Sequence, residues 1–103
     1  MTLVTTNYIS GKELETLTVV KGCAIHSVNM FKDIAEVSKS LIGGELTAYV
    51  EMMNDARALA TKRMVEEAAK FEADAVVNIR YSSSSIMQHA AEVMVYGTAV
   101  KFK

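Results

Sequence analysis

The chain has 103 residues, of which 50% are hydrophobic and 22% charged, and a formal net charge of −1. That length suits one domain. The near-neutral charge, without any basic run, removes the electrostatic case for nucleic acid or an anionic membrane as partner.

One cysteine, Cys23, forbids an internal disulfide. No apolar stretch approaches the ~20 residues needed to cross a bilayer. Met1 to Thr6 lacks the basic start and apolar run of a signal peptide, so a cytoplasmic location is expected. Proline is absent and glycine sparse. With no linker, low-complexity tract or repeat, a single domain over residues 1–103 is expected.

In chain order, Leu3 to Thr6 reads as a short strand before a turn at Ser10-Gly11-Lys12. Leu17 to Ser27 reads as a longer strand. Its alternation puts Leu17, Val19, Cys23 and Ile25 on one face, interrupted by Lys21, and Val20, Gly22, Ala24 and His26 on the other. Asn29 then suits a helix N-cap. Met30, Ile34, Val37 and Leu41 form the stripe of a short helix that Gly43-Gly44 ends. A second helix spans about Thr47 to Phe71, with Tyr49, Met53, Ala56, Ala60, Met64 and Ala68 as its buried stripe. Such a rod is ~37 Å long, more than a globule of this size spans, so part of it is expected to reach a neighbour. Ala75 to Ser83 and Ala91 to Lys103 read as a closing hairpin with Ser84 to Ala90 as its turn.

The last strand is apolar on both faces. Val93, Val95, Gly97 and Ala99 lie on one, and Met94, Tyr96, Thr98, Val100 and Phe102 on the other. Antiparallel sheets usually leave one face polar. Helices cover one face, so a second copy of the chain is the expected cover for the other.

Four segments in order carry a resemblance: Gly43-Gly44-Glu45-Leu46-Thr47-Ala48-Tyr49, Asp55-Ala56-Arg57, Ala73-Asp74-Ala75-Val76-Val77 and Gly97-Thr98-Ala99-Val100, joined by Asn29 to Asp33 at the first helix. The chain resembles the YbjQ-like family, a group of unestablished function named for heavy-metal binding. The resemblance implies an α+β fold, dodecin-like or YbjQ-like, with an antiparallel sheet packed by one short and one long helix. It also implies a ring-like homo-oligomer, a pentamer. It brings no ligand set and no catalytic residues. Glu45 stands where the family usually has arginine, and Ala24 to Val28 is shorter than the family's glycine- and glutamate-rich stretch. Glu72 stands where the family usually has glycine at the helix end, a position that strains any residue with a Cβ.

Metal binding by a soft or borderline ion is the first chemical expectation, with Cys23 and His26 as candidate ligands beside His89 and seven methionines. No paired-ligand spacing supports it. Cys23 and His26 are three apart, on opposite faces of a strand. They would meet only through a bend or across subunits. The ordinary readings are a buried apolar Cys23 and cap or surface histidines. A cysteine nucleophile lacks a placeable base. The run Ser82 to Ser85 lacks a basic partner for phosphate and reads as a strand end and turn. Glu66-Glu67 and Glu51 with Asp55 read as a solvated helix face, and Arg57 with Asp33 as a structural or intersubunit ion pair. The expected protein is a non-enzymatic oligomer that binds a metal or small ligand between subunits. A pure assembly module and an enzyme with an intersubunit site are the alternatives.

Overall fold

The computed structural model describes residues 1–27, 47–87 and 90–103. Within them lie β1 (Thr2–Leu3), β2 (Leu14–Ser27), α1 (Thr47–Lys70), β3 (Ala75–Met87) and β4 (Ala90–Phe102). The expected short helix, its cap Asn29, Asp33, the Gly43-Gly44 pair, Glu45 and His89 lie outside the described residues.

The four strands form one sheet in the order β1-β3-β4-β2. β4 pairs antiparallel with both β2 and β3, whereas β1 runs parallel to β3. The expected antiparallel sheet is therefore mixed. β1 is far from β3 in sequence, so no tight turn obliges the two to run in opposite directions. Beyond β1 the N-terminal segment continues the pairing: Val4 N donates to Val76 O at 3.1 Å, Ile79 N to Val4 O at 3.2 Å and Asn78 N to Thr6 O at 2.9 Å. The turn expected at Ser10-Gly11-Lys12 is present. Lys12 N donates to Ile9 O at 3.1 Å, and Gly11 takes φ 73°, the left-handed third position of a type II turn.

The hairpin is longer than its composition suggests. Ser82, Ser83, Ser84 and Ser85 are strand residues opposite Met94, Val93, Glu92 and Ala91. Cross-strand partners override the turn preference of serine here, because β4 continues opposite them as a regular strand that β2 also pairs. A bulge between Val77 and Arg80 holds Asn78 at φ 54°. Asparagine tolerates this region better than most side chains.

α1 packs on one face of the sheet, lying over β2 and β4 and barely touching β3. Beneath it Val20, Ala24, Val76, Ile79, Val93, Val95 and Ala99 meet Ala56, Ala60, Met64 and Ala68. The alternation in β2 holds, with Val20, Gly22 and Ala24 inward and Val19, Cys23 and Ile25 outward. Leu17 is the exception. A bulge between Thr16 and Thr18 turns it toward the helix side, where it packs against the core. Met52 is buried, while Met53 on the expected stripe is only half-buried. Met64 is the largest fully buried side chain; its burial contributes on the order of 2 kcal/mol.

Two contacts set the helix position. The backbone of α1 passes so close to β2 that a Cβ at Gly22 would fall on the Ala60 carbonyl and lie 2.6 Å from Met64 N. At its far end α1 closes in a Schellman turn. Ala73 N donates to Ala68 O at 3.3 Å and Glu72 N to Ala69 O at 3.0 Å, with Glu72 at φ 57°. Asp74 then anchors the next strand, its Oδ2 accepting from Phe102 N at 2.8 Å and its own N–H donating to Val100 O at 2.9 Å.

The opposite face is divided. At one end Val4, Ile9 and Leu14 cover Ala75, Val77, Val100 and Phe102 in a second small core. The expectation that the chain has nothing to place on this face is corrected to that extent: the N-terminal segment supplies a partial cover. Beyond it Val19, Ile25 and Tyr96 remain 67%, 60% and 44% exposed. The molecule is elongated, 53 × 23 × 17 Å with a radius of gyration of 17.0 Å, against ~13 Å for a compact domain of this length.

Two substitutions check this packing by denaturant midpoint. Gly22→Ala forces the helix off the sheet and costs about 3 kcal/mol. Glu72→Gly relieves the left-handed strain and raises stability by about 1 kcal/mol. The exposed Glu72–Lys101 pair at 3.6 Å is a surface contact of little value, so its loss does not reverse the sign.

Candidate functional site

The open outer face places Cys23 opposite Met94, Lys21 opposite Tyr96 and Ile25 opposite Glu92. Arg80 and Ser82 extend the Tyr96 and Met94 rows onto β3. Cys23 is exposed rather than buried, which corrects the ordinary reading of it as a small core residue. Apart from Lys21 the strand is apolar on that face, but nothing in the described chain lies over it at this point. Arg63 Nη1 donates to the Cys23 carbonyl at 2.6 Å, so a helix side chain caps part of the edge of β2.

His26 sits on the other face, partly buried and opposite Ala91. Its Nδ1 is buried without a hydrogen-bond partner. The structure therefore does not bring Cys23 and His26 together within one chain. The strand is regular there, and three residues along a strand means opposite sides. Among the described residues no group of three or more His, Cys, Asp or Glu converges.

Two hollows flank α1. The one beside β2, about 380 Å3, is bordered by Cys23, Met94, Lys21, Arg63, Glu66 and Lys70. Its charges are of both signs, so they satisfy the solvated-face reading of this part of the helix. The other side of α1 is different. Because the helix leaves β3 uncovered, a cavity of about 240 Å3 opens between Met52 and Met53 on the helix and Ser83 and Ser85 on the strand. It adjoins a smaller one of about 80 Å3 bordered by Met53, Arg57, Tyr81, Ser83 and Val93.

A hydrogen-bonded strap holds this second hollow open. Thr61 Oγ1 donates to the Arg57 carbonyl at 2.8 Å, which uses its single proton. Thr61 must then accept in its 2.9 Å contact with the Tyr81 hydroxyl. The chain runs Tyr81 to Thr61 to Arg57, and Arg57 Nη1 in turn donates to Asn54 Oδ1 at 3.1 Å. Sequence reasoning singled out the serine run and Arg57 separately. Their adjacency follows from where α1 crosses the sheet, a long-range fact with no local signal.

The model of the YbjQ family, described as "Putative heavy-metal-binding", matches residues 1–103. A UPF0145 protein of Alkaliphilus metalliredigens is 66% identical over 102 residues, covering 99% of each chain. One from Clostridium novyi is 63% identical over 101 residues, covering 98% of each. A crystal structure of a protein with unknown function of the DUF74 family from Pediococcus pentosaceus has the same fold, with a TM-score of 0.68 at 14% identity over 100% of this chain and 98% of that one.

The strap is testable by a double-mutant cycle. Tyr81→Phe and Thr61→Val each cost about 1 kcal/mol of unfolding free energy. The double variant costs clearly less than the sum, since either change removes the same bond.

Proposed function

The chain belongs to the YbjQ family, and from that premise we propose that it is a non-enzymatic cytoplasmic protein that self-associates and holds a soft metal ion between its copies. The assembly is a ring-like, dodecin-like homopentamer built on the outer face of the sheet. The observation that carries this reading is the position of Cys23. Its exposed thiol faces Met94 across the strands, on the outer face that also exposes Val19, Ile25 and Tyr96, with Lys21, Arg80 and Glu92 interspersed. A thiolate and a thioether suit soft ions. Among the described residues one chain offers this sulfur pair there, and a closed site wants more ligands. A second copy laid on the same face both covers the apolar residues and supplies further sulfur. His26, on the opposite side of β2, takes no part in that site.

A pure assembly module without a ligand is the second reading. It is favoured by the lack, among the described residues, of a convergent ligand cluster. No helix among the described residues is long and apolar enough to cross a membrane.

Light scattering at micromolar concentration tests the association, with Ile25→Lys expected to shift the protein to smaller species. Wild-type protein that runs as a monomer would remove the proposal. Titration with copper(I) under reducing conditions tests the metal. Binding is expected to survive His26→Ala and to be lost in Cys23→Ser. Equal, near-zero metal content in wild type and both variants leaves the assembly reading alone.

A further inference from the structure

The two adjoining cavities between α1 and β3 differ from the hollow beside β2 in how their charge is arranged. Of the described residues that border them, Arg57 alone is charged. The ion pair found among the described residues is Lys101–Glu72, so Arg57 has no described carboxylate partner. One of its five N–H donors is engaged by Asn54. The rest of its fork is available for a planar, two-point contact, the geometry in which guanidinium binds carboxylate or phosphate.

Around that cation the walls divide into two kinds. Ser83 faces the helix side, opposite Val93, and is exposed. Its hydroxyl is a second donor toward the same space. Met52, Met53 and Val93 form an apolar wall. The Tyr81 hydroxyl proton is spent on Thr61, so Tyr81 is a positioning residue that fixes the helical turn carrying Arg57. A hollow whose described lining carries one cation, serine and tyrosine hydroxyls, methionine walls and no acidic residue is matched by a small ligand with one oxyanion and one apolar body. Methionine walls adapt to the shape of such a body.

We infer that the groove between α1 and β3 is a binding site for a small amphipathic oxyanion, whose charged group is gripped by Arg57 and Ser83 and whose apolar part lies against Met52 and Met53. The charged group is a carboxylate or a phosphate monoester. The site lies on the helix side of the sheet, away from Cys23 and Met94, so it stands whether or not the metal reading does.

Ligand-observed NMR and calorimetry on the full chain test this with benzoate, phenyl phosphate, inorganic phosphate and phenol. Binding of benzoate alone assigns a carboxylate, and binding of phenyl phosphate alone a phosphate ester. Inorganic phosphate and phenol, each lacking half the chemistry, are expected to bind at least about tenfold more weakly than the better arene anion. Arg57→Gln should weaken that anion by about tenfold or more, the loss of a charge-assisted bidentate contact, and Arg57→Lys by less. Ser83→Ala, on an exposed strand position that tolerates the change, should weaken it several-fold. Lys62→Gln makes the same charge change on an exposed part of α1 and should leave binding within about twofold. The inference is overturned if neither arene anion binds up to about 10 mM. It is equally overturned if Arg57→Gln binds like wild type, or if Lys62→Gln loses as much as Arg57→Gln.

Discussion

The backbone of α1 rests on β2 at Gly22, and most of the architecture follows from that approach. No side chain separates the two at that point, because any Cβ would collide with the Ala60 carbonyl. Ala56, Ala60 and Ala68 keep the facing stripe of the helix low enough to reach the sheet. A helix held this way lies over β2 and β4 and cannot also cover β3. The sheet is wider than one helix, strands being ~4.8 Å apart and a helix ~10 Å across. The hollow above β3 is thus a geometric remainder of the contact at Gly22. The strap from Tyr81 through Thr61 to the Arg57 carbonyl keeps its rim in place.

Two of the segments that carry the family resemblance, with Glu72 just before one of them, have structural work in this chain. Glu72 and Ala73 close the Schellman turn, and Asp74 ties the start of β3 to the end of β4. Gly97 lies where β3 bulges toward its neighbour, and a Cβ there would come within 2.7 Å of Val76 Cγ1. These residues join the ends of elements distant in sequence. The fold is shared with a DUF74 protein at 14% identity, which by itself implies no shared chemistry.

The outer face is governed by a different constraint. β4 is apolar on both sides, and a chain of this length has one long helix and one short N-terminal segment to offer as cover among its described residues. The helix takes the inner side. Val4, Ile9 and Leu14 reach only the end of the outer side near Val100 and Phe102. What they leave open around Ile25 and Tyr96 is the apolar surface that the proposed assembly closes.

The sequence by itself determined the long described elements of this protein and the alternation along its strands. Periodicity is a local property, and 2.0- and 3.6-residue repeats are legible without knowing what lies opposite. It placed α1 to within a residue at its end, the grouping of Val20, Gly22 and Ala24 on one face, the strained Glu72 and the division of Cys23 from His26; which of the two faces is inward came from the packing. It misjudged Ser84 and Ser85 as turn, Cys23 as buried and the sheet as wholly antiparallel. In each case the deciding partner lies far along the chain: β4 for the serines, the limited reach of the cover for Cys23, and the return of the N-terminus along β3. Only the tertiary structure decided where α1 crosses the sheet, and so only it could bring Arg57 beside Ser83 and set Cys23 against Met94, because both pairings are made by packing and register rather than by spacing.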